Sequence, residues 1–169
     1  QQGHPRGRLL FINDQGVRLG AVSRDPQLDL SVLEERCQAS IERCLIDGQA
    51  SEDMIVVGNR LFDVVSAPIF VGKEIIGGVL TFASEAGQTL AQQFKELTGA
   101  DFVFVTEDRV TTATALTVPY GDREMIDAFR RCVSKSGAPA PVDLALSGNH
   151  FLCLGGQFRT LDPASTLGY

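Results

Sequence analysis

The stretch that decides the fold is Arg60–Phe82, RLFDVVSAPIFVGKEIIGGVLTF. It contains two apolar runs, Leu61–Val71 and Ile75–Phe82, which are rich in the Val, Ile and Phe that strands favour. The link between the runs has the length of a turn, so we predict that they fold back on each other as a β-hairpin. Each run is too short to span a bilayer, which takes roughly 20 apolar residues. The sequence therefore places this hairpin at the centre of a soluble sheet.

Two features inside the hairpin predict its surroundings. Pro68 has no N–H to donate, so the first strand must lie at a sheet edge or a bulge at that point. Gly77 and Gly78 have no side chains to pack, and they mark a place where other backbone or a ligand approaches closely.

Length and composition limit the class of protein. The chain has 169 residues, enough for one domain or two small ones, and its 44% hydrophobic and 21% charged residues are typical of a folded protein. A net charge of −6 argues against nucleic acid or an anionic membrane surface as a partner, because both attract basic surfaces. No signal peptide or transmembrane segment is recognisable at either end.

The order of elements repeats along the chain. A turn at 13–17 recurs at 106–110, and Gly58-Asn59 recurs as Gly148-Asn149, each followed by an apolar strand. The offset of about 90 residues indicates an internal duplication, in which each half reads β-β-α-β-β-β. Antiparallel sheets with helices packed on one side belong to the α+β class. We predict a first module at 1–83, a connecting helix at 84–99 and a second module at 100–169, whose last strand is cut off near Leu167.

Helix ends are predicted from capping residues. Ser31 is expected to cap the first helix, with Glu34 as its capping-box partner, and Gly48 to end it. Ser84 is expected to cap the second helix, and Gly99 to end it. Three apolar positions are then predicted to form the buried face of that helix: Leu90, Phe94 and Leu97.

The sequence contains no catalytic or nucleotide-binding motif of the common kinds. Cys37 and Cys44 are separated by roughly 10.5 Å along a helix, too far for a disulfide. With no CxxC and only two histidines, a zinc site is not expected, and the four cysteines are interpreted as buried thiols. His150 is interpreted as a turn or rim residue. We therefore predict no catalytic residue, no metal and no cofactor.

Asp63 is the most unusual polar residue in the central hairpin. Strand alternation places it on one face with Val65 and Ile69, whereas Ser66 points to the other face with Phe62. One interpretation is that Asp63 lies near an exposed strand end or pairs with an arginine. The other is that it is a polar anchor in an apolar ligand pocket.

The remaining candidates are arginines and threonines near turns and strands. Arg60 and Arg109 lie next to turns, where they either meet an anionic ligand or are solvated. The threonines at 111–117 either bind a ligand or are simply good strand formers. The predicted ligand-binding residues are Arg60, Asp63, Ser66, Thr112 and Thr114.

Three segments together resemble a known family: LLFINDQGVRLGAV, LFDVVSAPIFVGKEIIGGVLTFA and FKELTGADFVFVTEDRVTTATAL. They resemble the extracytoplasmic Cache sensor domains of bacteria, and the duplication fits the double Cache type. The core hairpin of that superfamily corresponds here to Val64–Ile69 and Gly78–Leu80. The family's long N-terminal helix and its arginine, tyrosine and aspartate ligand signature are not recognisable, so no ligand residue is carried over.

The resemblance implies a PAS-like sensor module of a histidine kinase, a chemoreceptor or a second-messenger cyclase or phosphodiesterase. Such a module would lie on the periplasmic face of the inner membrane, reach the membrane only through flanking helices, and act as a homodimer that binds a small molecule. The alternative is a ligand-free dimerisation or interaction module of the same fold. A small hydrolase or transferase using Asp63 or Glu74 is a third reading, disfavoured because no nucleophile–base pair is visible.

Overall fold

The computed structural model describes residues 7–106, 109–114, 122–132, 141–146, 148–158 and 160–161. The chain divides into two compact units, Gln1–Ala86 and Gly87–Tyr169. The helix that we expected to connect two modules is counted with the second unit.

The first unit is a five-stranded antiparallel sheet with one helix. Its elements are β1 (Arg8–Asn13), β2 (Arg18–Val22), α1 (Leu30–Asp47), β3 (Ser51–Val57), β4 (Arg60–Val71) and β5 (Ile75–Glu85). The strand order is β2-β1-β5-β4-β3. The last strand, β5, therefore lies in the middle of the sheet, where it joins the hairpin β1–β2 to the hairpin β3–β4.

The central hairpin forms as predicted. β4 and β5 pair from Phe62 opposite Glu85 to Val71 opposite Ile75. Beyond Ser66, where the pairing with β3 ends, β4 has a described partner on one side only, so Pro68 lies on a free edge next to a register shift after Ile69. A side chain at Gly78 would collide with the backbone carbonyl oxygen of Ile12 in β1. The close backbone approach predicted for the glycine pair is thus confirmed at Gly78.

α1 packs against one face of this sheet, over β3, β4 and β5. Its buried stripe consists of Leu33, Cys37, Ser40, Ile41 and Cys44. These side chains meet inward-facing strand residues that include Leu10, Ile12, Ile55, Phe62, Val64 and Val79. One apolar layer between helix and sheet therefore forms the core of the first unit.

The ends of α1 confirm one predicted cap and correct the other. Gly48 ends the helix in the left-handed conformation, with φ 64°, as expected. The N-cap is Asp29 and not Ser31, because the Asp29 carboxylate accepts a 2.8 Å hydrogen bond from the Ser31 N–H. Glu34 is not a capping-box partner but forms an ion pair of 2.8 Å with Arg18 in β2.

In its described residues, the second unit contains two helices and two β-hairpins. Its elements are α2 (Gln88–Thr98), β6 (Val103–Thr106), β7 (Arg109–Ala113), α3 (Asp122–Cys132), β8 (Val142–Leu146) and β9 (Asn149–Cys153). Within the described residues, β6 pairs with β7 and β8 with β9, each pair antiparallel. α3 packs on β7 and β8, and its buried residues Met125, Ala128 and Cys132 contact Leu144 and Leu146.

Two predictions about α2 are wrong. Ser84 does not cap it, because β5 continues through Ser84 to Glu85 and the N-cap position belongs to Gly87, which makes no side-chain cap bond. Leu97 is 81% exposed, so the inner side of α2 is formed by Ala91 with the half-buried Leu90 and Phe94. Gly99 ends the helix in the left-handed conformation, as expected.

Both units present a hairpin, a helix and a second hairpin in the same order. β2 and β7 begin at Arg18 and Arg109, and β3 and β8 at Ser51 and Val142, so the order repeats at the predicted offset of about 90 residues. The last predicted strand, near Leu167, lies outside the described residues. The fold is α+β with antiparallel sheets, which confirms the predicted class.

Candidate functional site

Three of the five predicted binding residues lie on β4 in the first unit. Arg60 and Ser66 point toward α1, and Asp63 points to the opposite face of the sheet, as strand alternation requires. Thr112 and Thr114 belong to β7 and its end, in the second unit. The structure of the first unit therefore separates Asp63 from Arg60 and Ser66.

Arg60 belongs to a compact cluster of four charges. Its guanidinium group donates two hydrogen bonds to the Glu85 carboxylate. Its Nη1 donates a 2.6 Å hydrogen bond to Oδ2 of Asp25. Arg8, which is 1% exposed, donates to the same Asp25 oxygen at 3.1 Å and lies 3.7 Å from Glu85. The two guanidinium carbons lie 5.0 and 5.3 Å from the ring centre of the buried Phe62.

The charges of this cluster compensate one another. Hydrogen bonds from Arg60 are the main cause that lowers the pKa of both Asp25 and Glu85 below their ordinary values. The bonds to Glu85 in turn raise the pKa of Arg60. An anionic ligand at Arg60 would have to displace these carboxylates, so the cluster is built first of all to hold β1, β4 and β5 together at one end of the sheet.

Ser66 lies at the centre of a second polar group inside the core. Ser40 of α1 donates a 2.9 Å hydrogen bond to the Ser66 hydroxyl oxygen. The Ser66 and Thr81 hydroxyls are also 2.9 Å apart. All three side chains are fully buried. The chain of hydroxyls therefore runs from the helix across β4 to β5, among the apolar side chains of the core.

Ser40 and Thr81 were not predicted as site residues. A signal for each was present, because Ser40 interrupts the apolar stripe of α1 at helical spacing and Thr81 alternates with Val79 and Ala83 on the inner face of β5. Their pairing with Ser66 depends on how α1 sits on the sheet, which local patterns do not specify.

An acid and a thiol share this layer with the hydroxyls. Asp53 of β3 is 3% exposed, and its carboxylate accepts a 2.8 Å hydrogen bond from the Met54 N–H. Burial, reinforced by the negative charge of Asp53, raises the pKa of the Cys37 thiol to about 12. Cys37 is therefore an unreactive thiol at neutral pH, as expected for a buried structural cysteine.

Asp63 lies on the outer face of the sheet, between Met54 of β3 and Ser84 of β5. Its side chain is exposed, and within the described residues no hydrogen bond or ion pair to it is found. Partial loss of water among the neighbouring strands, and then the charge of Glu52, raises the pKa of the Asp63 carboxyl. Of the two interpretations, the structure favours the exposed carboxylate and gives it no arginine partner among the described residues.

The two threonines have local structural roles. Thr112 donates a 2.8 Å hydrogen bond to the carbonyl oxygen of Thr111. Thr114 is fully buried, accepts a 2.8 Å hydrogen bond from the Phe102 N–H and donates at 3.1 Å to Asp101. Lys95 donates a 2.6 Å hydrogen bond to the Asp101 carboxylate, and this bond is the main cause that lowers the pKa of Asp101. Thr114 thus links the residues before β6 to the end of β7, at the open end of the hairpin.

Among the described residues, no group of three or more His, Cys, Asp or Glu side chains is arranged to hold a metal ion. His150 lies 3.4 Å from Asp143, and both side chains are about three-quarters exposed. None of the helices in the described part of the chain has the length and apolar character needed to cross a membrane.

Comparison with known proteins gives few matches. No protein-family model matches the sequence, and no curated protein matches it. Among solved structures, the chain is similar to the ligand-binding domain of the Pseudomonas aeruginosa PAO1 amino acid chemoreceptor PctC in complex with GABA. The TM-score is 0.47 at 12% identity, over 95% of this chain and 71% of that one. This degree of similarity assigns neither a family nor a ligand to the chain, so the Cache resemblance stays a prediction.

Proposed function

We propose that this chain is a signal-sensing domain that binds a small polar molecule between α1 and the sheet of the first unit. The observation that carries the proposal is the buried hydroxyl chain of Ser40, Ser66 and Thr81, in which each hydroxyl is 2.9 Å from the next, between the apolar side chains of α1 and the sheet. Small-ligand sites combine apolar walls with a few convergent polar groups, and this layer has that composition.

The same hydroxyls link the proposed ligand to a movement of α1. A ligand group that hydrogen-bonds to Ser66 or Thr81 replaces the bond from Ser40, and this releases the helix from β4. A ligand shifts such an equilibrium only by binding one arrangement more tightly than the other. In this scheme α1 has two positions on the sheet. The change from one position to the other is the conformational signal that ligand binding produces.

The wider setting follows from the sequence resemblance. We place the domain on the periplasmic face of the inner membrane, as the input of a membrane-bound histidine kinase, chemoreceptor or second-messenger enzyme. In this setting the domain binds its ligand without transforming it and works as a homodimer.

A thermal-shift screen of small metabolites tests the ligand proposal. A ligand present at 100 times its Kd stabilises the folded state by about 2.7 kcal/mol, which is readily visible as a rise in melting temperature. We expect the shift caused by an active compound to be lost or strongly reduced in Ser66→Ala. The matched control is Ser84→Ala, because Ser84 lies on the outer face of β5, away from α1. A shift that is equal in the wild type and in Ser66→Ala would rule out this site.

A second candidate function is dimerisation through the outer face of the same sheet. Six apolar side chains on this face are 36–61% exposed: Leu9, Phe11, Val22, Val65, Leu80 and Phe82. The register places Val22, Leu9, Phe82 and Val65 in one row across four strands. Contiguous apolar patches of this kind are typical of protein interaction sites, and a second copy of the chain would bury the patch against itself.

The oligomeric state tests this second candidate, whereas the thermal-shift screen tests the ligand site. If the face is a dimer interface, Phe82→Asp should convert a dimer to a monomer in sedimentation experiments, because a charge would be buried without a partner. The control is Ile46→Asp on α1, since Ile46 is 81% exposed and lies outside the patch. A wild-type protein that sediments as a monomer at all concentrations would exclude this second function.

A further inference from the structure

Cys132 and Cys153 are brought together in the core of the second unit. Cys132 is the last residue of α3 and is 4% exposed, whereas Cys153 ends β9 and is half-buried. Cys153 packs against the cluster that contains Cys132 and Leu144. Each thiol is among the groups that shift the pKa of the other, and both cysteines are free thiols.

The other two cysteines do not form such a pair. Cys37 and Cys44 lie on the same helix, α1, at a separation of roughly 10.5 Å along its axis. A disulfide needs Cα atoms roughly 4.4–6.8 Å apart, so that pair stays as two thiols. The chain therefore contains one pair placed for oxidation and one pair that serves as an internal control.

The surroundings assign different roles to the two thiols of the close pair. Burial raises the pKa of both thiols, and the contact with Cys153 raises that of Cys132 further. The interaction with Cys132 opposes this rise at Cys153. Cys153 is also the more exposed of the two. It is therefore the better nucleophile toward a molecule arriving from solvent.

We propose that Cys132 and Cys153 form a reversible disulfide that ties α3 to the hairpin β8–β9, by exchange with a small-molecule disulfide such as oxidised glutathione. The Cys153 thiolate attacks one sulfur of the oxidant, and a Cys153–glutathione bond forms while one glutathione thiolate leaves. Cys132 then gives up its proton and attacks the Cys153 sulfur, releasing the second glutathione. Two protein thiols are oxidised and one disulfide oxidant is reduced to two thiols, so electrons and atoms balance.

The consequence of the bridge is mechanical. α3 packs on β8, and the register places Cys153 opposite Val142, where β8 begins. A covalent bond at this place holds the last turn of α3 against the open end of the hairpin, and reduction releases it. The bridge does not depend on the proposed function, because it needs no ligand and lies in the other unit.

Mass spectrometry of the whole chain, reduced and then treated with oxidised glutathione, tests the proposal. We expect the oxidised protein to lose the mass of two hydrogen atoms and to retain half of its four thiols when titrated under denaturing conditions. Digestion without reductant should release one cross-linked peptide pair that contains Cys132 and Cys153. The melting temperature of the oxidised form should be higher than that of the reduced form.

Variants identify the residues without relying on one substitution. Cys153→Ser should abolish the mass loss and the gain in melting temperature, and the double variant Cys37→Ser/Cys44→Ser should keep both. Survival of all four thiols, a glutathione adduct that persists at Cys153, or a bridge to Cys37 or Cys44 would each overturn the proposal. The peptide map of the wild type decides the question even if Cys153→Ser does not fold.

Discussion

At the scale of single residues, the first unit provides partners for its buried polar side chains in two different ways. Arg60 and Arg8 are matched by Asp25 and Glu85, so the cluster is held by charge and depends on pH. The hydroxyls around Ser66 are neutral and depend only on geometry. The two groups therefore respond differently to acid and to substitution, which makes them separable by experiment.

The charged cluster predicts loss of stability in acid. The folded-state pKa values of Asp25 and Glu85 are lowered, so their contribution to stability is complete above about pH 4, the ordinary range of unfolded carboxyls, and is lost as the pH falls through the folded values. We expect the melting temperature to fall more steeply below about pH 4 in the wild type than in Arg60→Gln. Thermal unfolding followed by circular dichroism across this range measures the difference.

A matched exposed pair serves as the control for that experiment. Arg43 and Asp47 form an i,i+4 pair of 3.4 Å with both side chains at least half exposed, and such pairs contribute little. The melting temperature of Arg43→Gln should therefore fall below about pH 4 as steeply as that of the wild type. If the melting temperatures of the wild type and of Arg60→Gln fall equally steeply in acid, the cluster does not cause the pH dependence of stability.

The hydroxyl chain predicts coupling between substitutions. Ser66→Ala leaves the Ser40 and Thr81 hydroxyls buried with a lost partner, so we expect it to lower the free energy of unfolding by about 1–3 kcal/mol. Once Ser66 is alanine, Ser40→Ala should cost clearly less than it does in the wild type, because the bond is already broken. Urea unfolding of the two single variants and the double variant measures this coupling.

An unconnected serine shows whether the coupling is specific. Ser31 contributes only its backbone N–H to the cap of α1, so Ser31→Ala combined with Ser66→Ala should give additive effects. Additive effects for Ser40→Ala with Ser66→Ala would mean that the hydroxyl chain does not act as a unit.

At the scale of elements, the sheet depends on the close approach of β1 and β5. A Cβ atom at Gly78 would collide with the backbone of β1 at Ile12, which cannot move without parting the strands. We expect Gly78→Ala to lower the free energy of unfolding by about 1–3 kcal/mol through overpacking. At Gly20 in β2, nothing lies within 4 Å of the added atom, so Gly20→Ala should be neutral or stabilise by up to about 1 kcal/mol. Equal effects of the two substitutions in denaturant unfolding would contradict the close contact.

The elements that sequence reasoning predicted correctly are those with a local cause. The hairpin β4–β5 follows from two apolar runs and a short turn, and the free edge at Pro68 follows from a missing N–H. Gly48 and Gly99 end their helices because glycine adopts the left-handed conformation readily. Each of these signals is contained within a few neighbouring residues.

The elements that it missed depend on partners far away in the sequence. β5 extends through Ser84 and Glu85, which looked like the start of a helix, because Glu85 pairs with Arg60 and Ser84 lies opposite Asp63. Asp29 and Ser31 were both good cap residues two positions apart, and local propensity did not decide between them. The charged cluster joins residues from β1, the loop before α1, β4 and β5, so only the strand register reveals it.

At the scale of the whole molecule, the first unit contains everything that its own fold requires. Its core residues, both ends of α1 and the whole charged cluster come from residues 8–85. β5 is the element that unites it, because it is the strand between the hairpins β1–β2 and β3–β4. A chain that ends before β5 would retain both hairpins and α1, but no strand would pair with both hairpins to join them into one sheet.

This arrangement predicts that residues 1–86 fold without the second unit. We expect this fragment to unfold in one cooperative transition in urea, because a domain with its own core folds alone. The matched control is residues 1–74, which lack β5 and should show no cooperative transition, since two-stranded hairpins are at best marginally stable in water. Circular dichroism and the denaturant slope of both fragments measure the outcome. If residues 1–86 fail to fold, or if residues 1–74 fold equally well, β5 is not the strand that completes an independent domain.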